Sequence, residues 1–458
     1  MQSSVSALSL YALSAKQQEF LTQIAGSFHV SDDQLSTIIT KLESELARGL
    51  KTNEQCELYM SPSLVNSQKT PAGTALSMAI ESSGKRVRLN SVTFNADSSI
   101  ADTKTQIFIT PTQCMASVDS LFEHVAYSIR EFLHNYHLDE IAVESPLPLG
   151  FTIGFPVSNC GVCESAKEDS IDLDGADITQ MLQDVVIRHH LPVQVTSVTN
   201  NTVSALVAAQ FADKTTRVAA SFNNGVNAAY YEPVSNVETF SSAGVTRNAK
   251  VAINTELGRF GSSSGVLPQT MWDRRIDRES RNPGLRSFEK LVASQYLGEI
   301  VRNLITDFID KHLLFSVNCP VKEISTEYSF HTAYIGSIMD DETKDLAHVD
   351  GIIAAEFGIE TSLADRQIVR ALCEIVAARA SRLSGAALAA LILKSNAHVD
   401  CASIALSGAL FDMNRKVYEH TIATLQEQLQ RSAATTATVN LQRRDSDLIG
   451  AAIDAICY

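Results

Sequence analysis

Apolar residues recur at helical spacing at Leu35, Ile38, Ile39, Leu42, Leu46 and Leu50, behind a Ser31 and Gln34 pair spaced as a capping box. This pattern predicts an amphipathic helix over residues 31–50. The polar stretch 51–74, with Pro62 and Pro71, reads as a linker into a strand-rich region. Residues 75–94 alternate loosely around Ser82-Ser83-Gly84, which predicts two antiparallel strands joined by a tight turn. A third strand is expected at 105–109. A helix over 121–136 then runs through Val125, Ile129, Phe132 and Leu133, and a strand over 149–156 follows.

Asp177 begins a second such run, as the cap of a helix that extends to His190 with Ile178, Met181, Leu182, Val185 and Val186 on its buried face. Pro192 ends that helix, and 193–198 reads as a short buried strand before a helix at 203–212. The apolar runs 217–222 and 228–231 flank Asn223-Asn224-Gly225, a strong hairpin signal. Helices at 288–311, 365–394 and 411–430, strands at 402–406 and 436–441, and a short helix at 448–456 complete the pattern. The alternation is α/β, each half opens on a hairpin, and together they predict two related lobes around a cleft.

Composition narrows the function classes. A chain of 458 residues exceeds what one hydrophobic core serves, which agrees with more than one lobe. A formal net charge of -15 argues against general nucleic-acid binding and against attraction to anionic membranes. The most apolar stretch, 371–393, is interrupted by Glu374, Arg379 and Arg382 and reads as a core helix. The first 30 residues lack a basic-then-apolar order, so an intracellular, cytoplasmic protein is expected, with nuclear entry left open. Of the eight cysteines only Cys160 and Cys163 form a C-x-x-C pair, too few ligands for structural zinc, and no metal site is expected.

Several ordered blocks resemble the hexokinase family. They are Leu147-Pro148-Leu149-Gly150-Phe151-Thr152-Ile153-Gly154-Phe155-Pro156-Val157-Ser158, Gly225-Val226-Asn227-Ala228-Ala229-Tyr230, Ile253-Asn254-Thr255-Glu256, Pro283-Gly284-Leu285-Arg286-Ser287-Phe288-Glu289-Lys290 and Gln295-Tyr296-Leu297-Gly298-Glu299-Ile300. The wording Leu267-Pro268-Gln269-Thr270 and Ile276-Asp277 is most similar to fungal members. The resemblance implies a two-lobed, actin-like (ribonuclease H-like) fold that closes over a hexose with ATP in the same cleft. It implies domains over 16–207 and 213–456, with helix 31–50 packing on the larger lobe. It also implies a hexose site at Ser158, Asn200, Asn227, Glu256 and Glu289. Convergent donors and acceptors of this kind recognise a polyol, because a wrong ligand leaves them unpaired.

The same alignment of motifs breaks on the phosphate side. The family's catalytic aspartate is replaced by Asn201, which can still hydrogen-bond a sugar but cannot take its proton. Loss of a general base typically removes ~10²–10⁴-fold of rate. The family's first phosphate hairpin, D-x-G-G-T-N, aligns with Glu81-Ser82-Ser83-Gly84-Lys85-Arg86, and its second, G-T-G-x-N, with Asn223-Asn224-Gly225-Val226-Asn227. Gly84 and Gly225 permit tight turns, yet side chains replace the bare backbone that approaches phosphate. The nucleotide positions Glu81, Ser83, Gly84, Lys85, Asn224, Gly225, Ser407 and Gly408 are therefore expected to be degenerate. Ser407-Gly408 stands in the family's A-D-G-S block, and 445–450 in place of a glycine-rich adenosine loop. The loop 159–174 lacks the family's W-T-K-G-F block. Lys85, Arg86 and Arg88 form a basic cluster that either holds an anion or is a solvated strand face.

The resemblance therefore implies a non-catalytic, hexokinase-like regulator of fungal type, similar to regulators of catabolite repression and extracellular proteases. It would bind a hexose such as glucose weakly, work through an unidentified protein partner and need no cofactor, ATP and Mg entering only with residual kinase activity. The alternatives are a low-activity ATP-dependent hexose kinase and a structural partner of an active hexokinase.

Overall fold

The computed structural model describes residues 11–51, 56–65, 69–81, 84–141, 145–155, 175–238, 249–315, 320–395, 402–432, 437–441 and 446–457. The chain enters through α1 (Ala15–Phe28) and α2 (Asp32–Gly49), each started by a capping box, Ser14 with Gln17 and Ser31 with Gln34. The short strand β1 (Ser61–Ser63) follows. The first half then contributes β2 (Gly73–Ile80), β3 (Arg86–Phe94), β4 (Ile100–Ile109), α3 (Val118–Asn135), the one-turn α4 (Leu138–Ile141), β5 (Leu147–Ile153), α5 (Ile178–Arg188), β6 (Val193–Asn200) and α6 (Asn201–Ala212). The second half opens on β7 (Thr216–Phe222), β8 (Val226–Pro233) and β9 (Lys250–Asn254). It continues through α7 (Met271–Glu279), α8 (Ser287–Val292), α9 (Ser294–Asp310), α10 (Lys322–Ser325), α11 (Thr332–Met339), α12 (Ala347–Phe357) and α13 (Leu363–Lys394). It closes with β10 (Ala402–Ser407), α14 (Ala409–Met413), α15 (Arg415–Arg431), β11 (Ala437–Leu441) and α16 (Ser446–Cys457).

Both halves build the same sheet. In the smaller lobe the strands run β4-β3-β2-β5-β6, three antiparallel and then two parallel additions. In the larger lobe β9-β8-β7-β10-β11 repeats that plan, and β1 extends it at one edge. Helices α6 and α16 lie between the sheets and pack on each other. Val203, Leu206 and Val207 of α6 and Ala452 and Ile453 of α16 join Ala75, Val92, Ala219 and Ala229 of the two sheets in one apolar layer. The approach is close enough to demand glycine: a Cβ at Gly450 would collide with the Ser204 carbonyl, and one at Gly150 with that of Ala451.

The large-lobe core centres on α13, apolar around nearly its whole circumference and therefore enclosed by α2, α9, α11 and α15. It is long and apolar enough to cross a membrane, but 89% of its most apolar window is buried inside the fold. Arg379 on this helix is 1% exposed and forms a two-pronged ion pair with Asp273 of α7, at 2.6 and 2.7 Å.

Two expected helices are each broken. The helix expected at 288–311 is α8 and α9, separated at Ala293, whose ψ of 144° is extended. The break lets the Ser294 N–H reach the Asn223 carbonyl at 2.9 Å. The helix expected at 411–430 is α14 and α15, because the Asn414 side chain caps a new start by accepting from Val417 N at 2.9 Å. Helix α6 begins at Asn201, two residues before the expected 203, and β4 begins at Ile100 instead of 105.

Candidate hexose site

The cleft is built where the carboxyl ends of β5 and β6 in one lobe face β8, β9 and α8 of the other. Asn200 ends β6 and caps α6, its Oδ1 accepting from Thr202 N at 2.8 Å while its Nδ2 donates to the Phe155 carbonyl at 3.0 Å. Asparagine does both because its amide is acceptor and donor at once. Across the cleft, Asn227 Nδ2 donates to Asn254 Oδ1 at 2.7 Å and lies 3.2 Å from both Asn200 Oδ1 and Glu256 Oε1. Asn227 Oδ1 accepts from Glu256 N at 3.0 Å, and Asn254 Nδ2 donates to Glu256 Oε1 at 3.0 Å. One amide network thus spans both lobes.

Glu256 stands in the left-handed region, with φ of 51°, a strained setting that turns its side chain back into this network. Glu289 is buried to the same extent, and its Oε2 accepts from Val226 N at 2.9 Å and lies 3.5 Å from Arg286 Nη1. Burial holds the Glu289 carboxyl above the usual carboxylate range, against the opposing pull of Arg286 and the Val226 N–H. Gly225 owes its identity to this carboxylate and not to a left-handed backbone: a Cβ there would sit 3.2 Å from Glu289 Oε2. Gly84, by contrast, has φ of +69°.

Asn201 occupies the first turn of α6 at the cleft. Its Oδ1 accepts from the Thr202 hydroxyl at 3.3 Å, and a Cβ added to Gly154 would lie 3.8 Å from its Nδ2. The structure brings together Asn200, Asn201, Asn227, Glu256 and Glu289, while Ser158 and the loop 159–174 with Cys160 and Cys163 lie outside the described residues. Asn254 and Arg286 join the site as well, and both fall inside the matched blocks. Among the described residues, no group of three His, Cys, Asp or Glu side chains is placed to hold a metal ion.

Around the second hairpin the described polar groups are taken up by one another. Asn223 Oδ1 accepts from Ala409 N at 3.0 Å, its Nδ2 donates to Ser221 Oγ at 2.9 Å, and its carbonyl accepts from Ser294 N. Ser294 Oγ contacts Asn224 Oδ1 at 3.5 Å, so the second hairpin, the start of α9 and the loop before α14 are stitched together. Ser407 Oγ donates to the Ala220 carbonyl at 3.5 Å, and a Cβ on Gly408 would press within 2.9 Å of the Phe222 carbonyl. At the first hairpin Gly84 N donates to the Glu81 carbonyl at 2.7 Å and Lys85 O accepts from Thr110 N; Ser83 lies outside the described residues. The basic cluster is paired in part: Arg88 meets Asp447 of α16 at 2.5 Å, and Arg86 lies 3.6 Å from Glu81.

Two lobes of repeated sheet plan, with a polar cleft that converges amides and carboxylates, define the two-lobed, actin-like class of sugar-kinase folds. Hexokinase family profiles match residues 20–211 and 217–457. The chain is 28% identical to hexokinase-2 of Candida albicans over 447 residues, 95% of this chain and 91% of that protein. It is 30% identical to the hexokinase of Kluyveromyces lactis over 394 residues, 84% and 80% of the two chains. A hexokinase structure from Schistosoma mansoni complexed with glucose superposes with a TM-score of 0.84 at 27% identity, covering 96% of this chain and 99% of that one. The chain belongs to the hexokinase family.

The amide network predicts a binding defect. Asn227→Ala removes bonds that Asn254, Asn200 and Glu256 share, and is expected both to weaken glucose binding roughly 10- to 100-fold and to lower the thermal midpoint, since buried partners are left unpaired. Calorimetric titration of both forms checks this.

Proposed function

We propose that this chain is a hexokinase-family protein that binds a hexose such as glucose without phosphorylating it and acts as a regulator in carbon sensing or repression, for example of catabolite genes or extracellular proteases. The observation that carries this reading is Asn201 at the first position of α6, at the cleft and beside Asn200. Its amide nitrogen is not basic and its carbonyl oxygen is a poor base, so a bound sugar hydroxyl would find a hydrogen-bond partner and no proton acceptor.

At the second hairpin the described polar groups are already engaged with one another, which disfavours a nucleoside triphosphate with its metal there. The Ser294 and Ala409 N–H groups beside the second hairpin already donate to Asn223. Displacing those bonds costs the ligand affinity at the point where charge must be held. On the sugar side Glu256 and Glu289 are buried carboxylates, and Asn200 and Asn227 are joined across the lobes by one 3.2 Å bond that a polyol could replace. A sugar that replaces that joint would bias the relative positions of the lobes and alter the surface offered to a partner. Glucose enters this reading through the glucose-complexed relative.

The kept amide and carboxylate network also favours a second reading, a slow ATP-dependent hexokinase, since phosphoryl transfer leans on positioning. Asn201→Asp separates the two. A carboxylate is welcome at a helix N-terminus, so the variant should fold, and it is expected to form no more sugar phosphate from glucose and ATP-Mg than the parent. A gain of about 100-fold or more would show that the phosphate hairpins are competent. Turnover in the parent that disappears in Asn201→Ala would also reject the regulatory reading.

A further inference from the structure

Helix α7 buries Trp272, Asp273 and Ile276 and turns Met271, Arg274, Arg275 and Arg278 outward. These outward positions fall at i, i+3, i+4 and i+7 and therefore form one stripe. Beside it lies a hollow of about 330 Å³ lined by Met271, Trp272, Arg274, Arg275, Arg278 and Asp307. Trp272 Nε1 donates to Asp307 Oδ2 at 3.1 Å, which engages that carboxylate. Among the described residues, Arg275 and Arg278 share Glu279, at 3.4 and 3.9 Å, and Arg274 donates to the Gln269 carbonyl at 3.4 Å. Met271 is 65% exposed at the edge. Three arginines against the carboxylates of Asp307 and Glu279 leave a local positive excess beside exposed Met271, on a chain whose net charge is -15.

We propose that this hollow is a docking site for a short acidic polypeptide segment. An apolar side chain of the partner would rest on Met271 and Trp272, and flanking carboxylates would pair with Arg274, Arg275 and Arg278. Charge complementarity selects this occupant over nucleic acid, because a long polyanion would run onto the negative remainder of the surface, whereas a short segment covers only the stripe. The mount is rigid: the Thr270 and Asp273 capping box starts the helix, and Arg379 fixes it to α13. The surface is separate from the hexose cleft, so the proposal stands whether or not the cleft binds sugar.

Trp272 is the single tryptophan of the chain, so intrinsic fluorescence reports occupancy directly. The full chain is titrated at low salt with a synthetic peptide of glutamates and aspartates flanking one leucine. A saturable change in fluorescence is expected, weakening as salt rises. The triple variant Arg274→Glu, Arg275→Glu and Arg278→Glu is expected to lose affinity by about 10-fold or more, and the corresponding triple lysine variant to keep most of it. Circular dichroism establishes that both variants are folded. The absence of a saturable change, equal binding by the folded triple glutamate variant, or tighter binding of a single-stranded oligonucleotide than of the peptide would overturn the proposal.

Discussion

Replacing Arg379 by Met is expected to lower the unfolding free energy by about 3–5 kcal/mol, measured as a shift of the urea midpoint at neutral pH. The expectation rests on what stays behind. Asp273 is 3% exposed, and both of its oxygens accept from the Arg379 guanidinium, which also lies 4.3 Å over the Phe28 ring. Removing one partner leaves a buried carboxylate with only the capping-box donors of Thr270, at 2.7 and 2.6 Å. Changing both partners, Arg379→Met with Asp273→Leu, is expected to recover part of the loss, since the desolvation cost disappears with the charge, although the helix cap is lost too. An unchanged midpoint in the single variant would mean that the pair contributes nothing to holding α7 on α13.

Asp454→Asn is expected to act in the opposite direction and only above acid pH. Asp454 sits on α16 in the layer between the two sheets, 4% exposed, and burial pushes its carboxyl up from 3.8 to about 7, with the Ser197 hydroxyl partly offsetting the shift. The folded chain therefore keeps a proton that the unfolded chain releases near 3.8. Stability from this group declines as pH rises from 3.8 to about 7 and is level above that. The full span corresponds to a few kcal/mol, on the order of 4 by the usual conversion. The Asn variant should match the parent at the acid end and exceed it at pH 8, where the difference is read from urea unfolding. Parallel pH profiles for the two proteins would contradict the assignment.

Much of this architecture is legible along the chain because its signals are local. The Ser31 and Gln34 capping box and the Asn223-Asn224-Gly225 turn each specify their own backbone within a few residues, and both elements form as read. Helix α1 carries the same local signal, Ser14 with Gln17 ahead of Leu21, Ile24 and Phe28. Asn200 and Asn414 were likewise readable as caps, which would have placed Asn201 on the first turn of α6 and divided α14 from α15. The break at Ala293 was not readable, because apolar periodicity continues through it and only the Ser294 bond to Asn223 requires it. Long-range pairing hid the rest: Arg88 looked like part of an anion cluster until Asp447 met it from the opposite end of the chain. The candidate site followed from ordered blocks, yet the linkage of Asn200 to Asn227 depends on two sheets facing each other and is a property of the assembled lobes.

The most direct test of the proposal that the cleft keeps its sugar side and has lost its phosphate side is isothermal titration of the purified protein with glucose and, separately, with ATP-Mg. Saturable heat is predicted for glucose, with millimolar affinity sufficient, and no saturable heat for ATP-Mg in the presence or absence of the sugar. Saturable ATP-Mg binding, or the absence of any glucose binding, would contradict it.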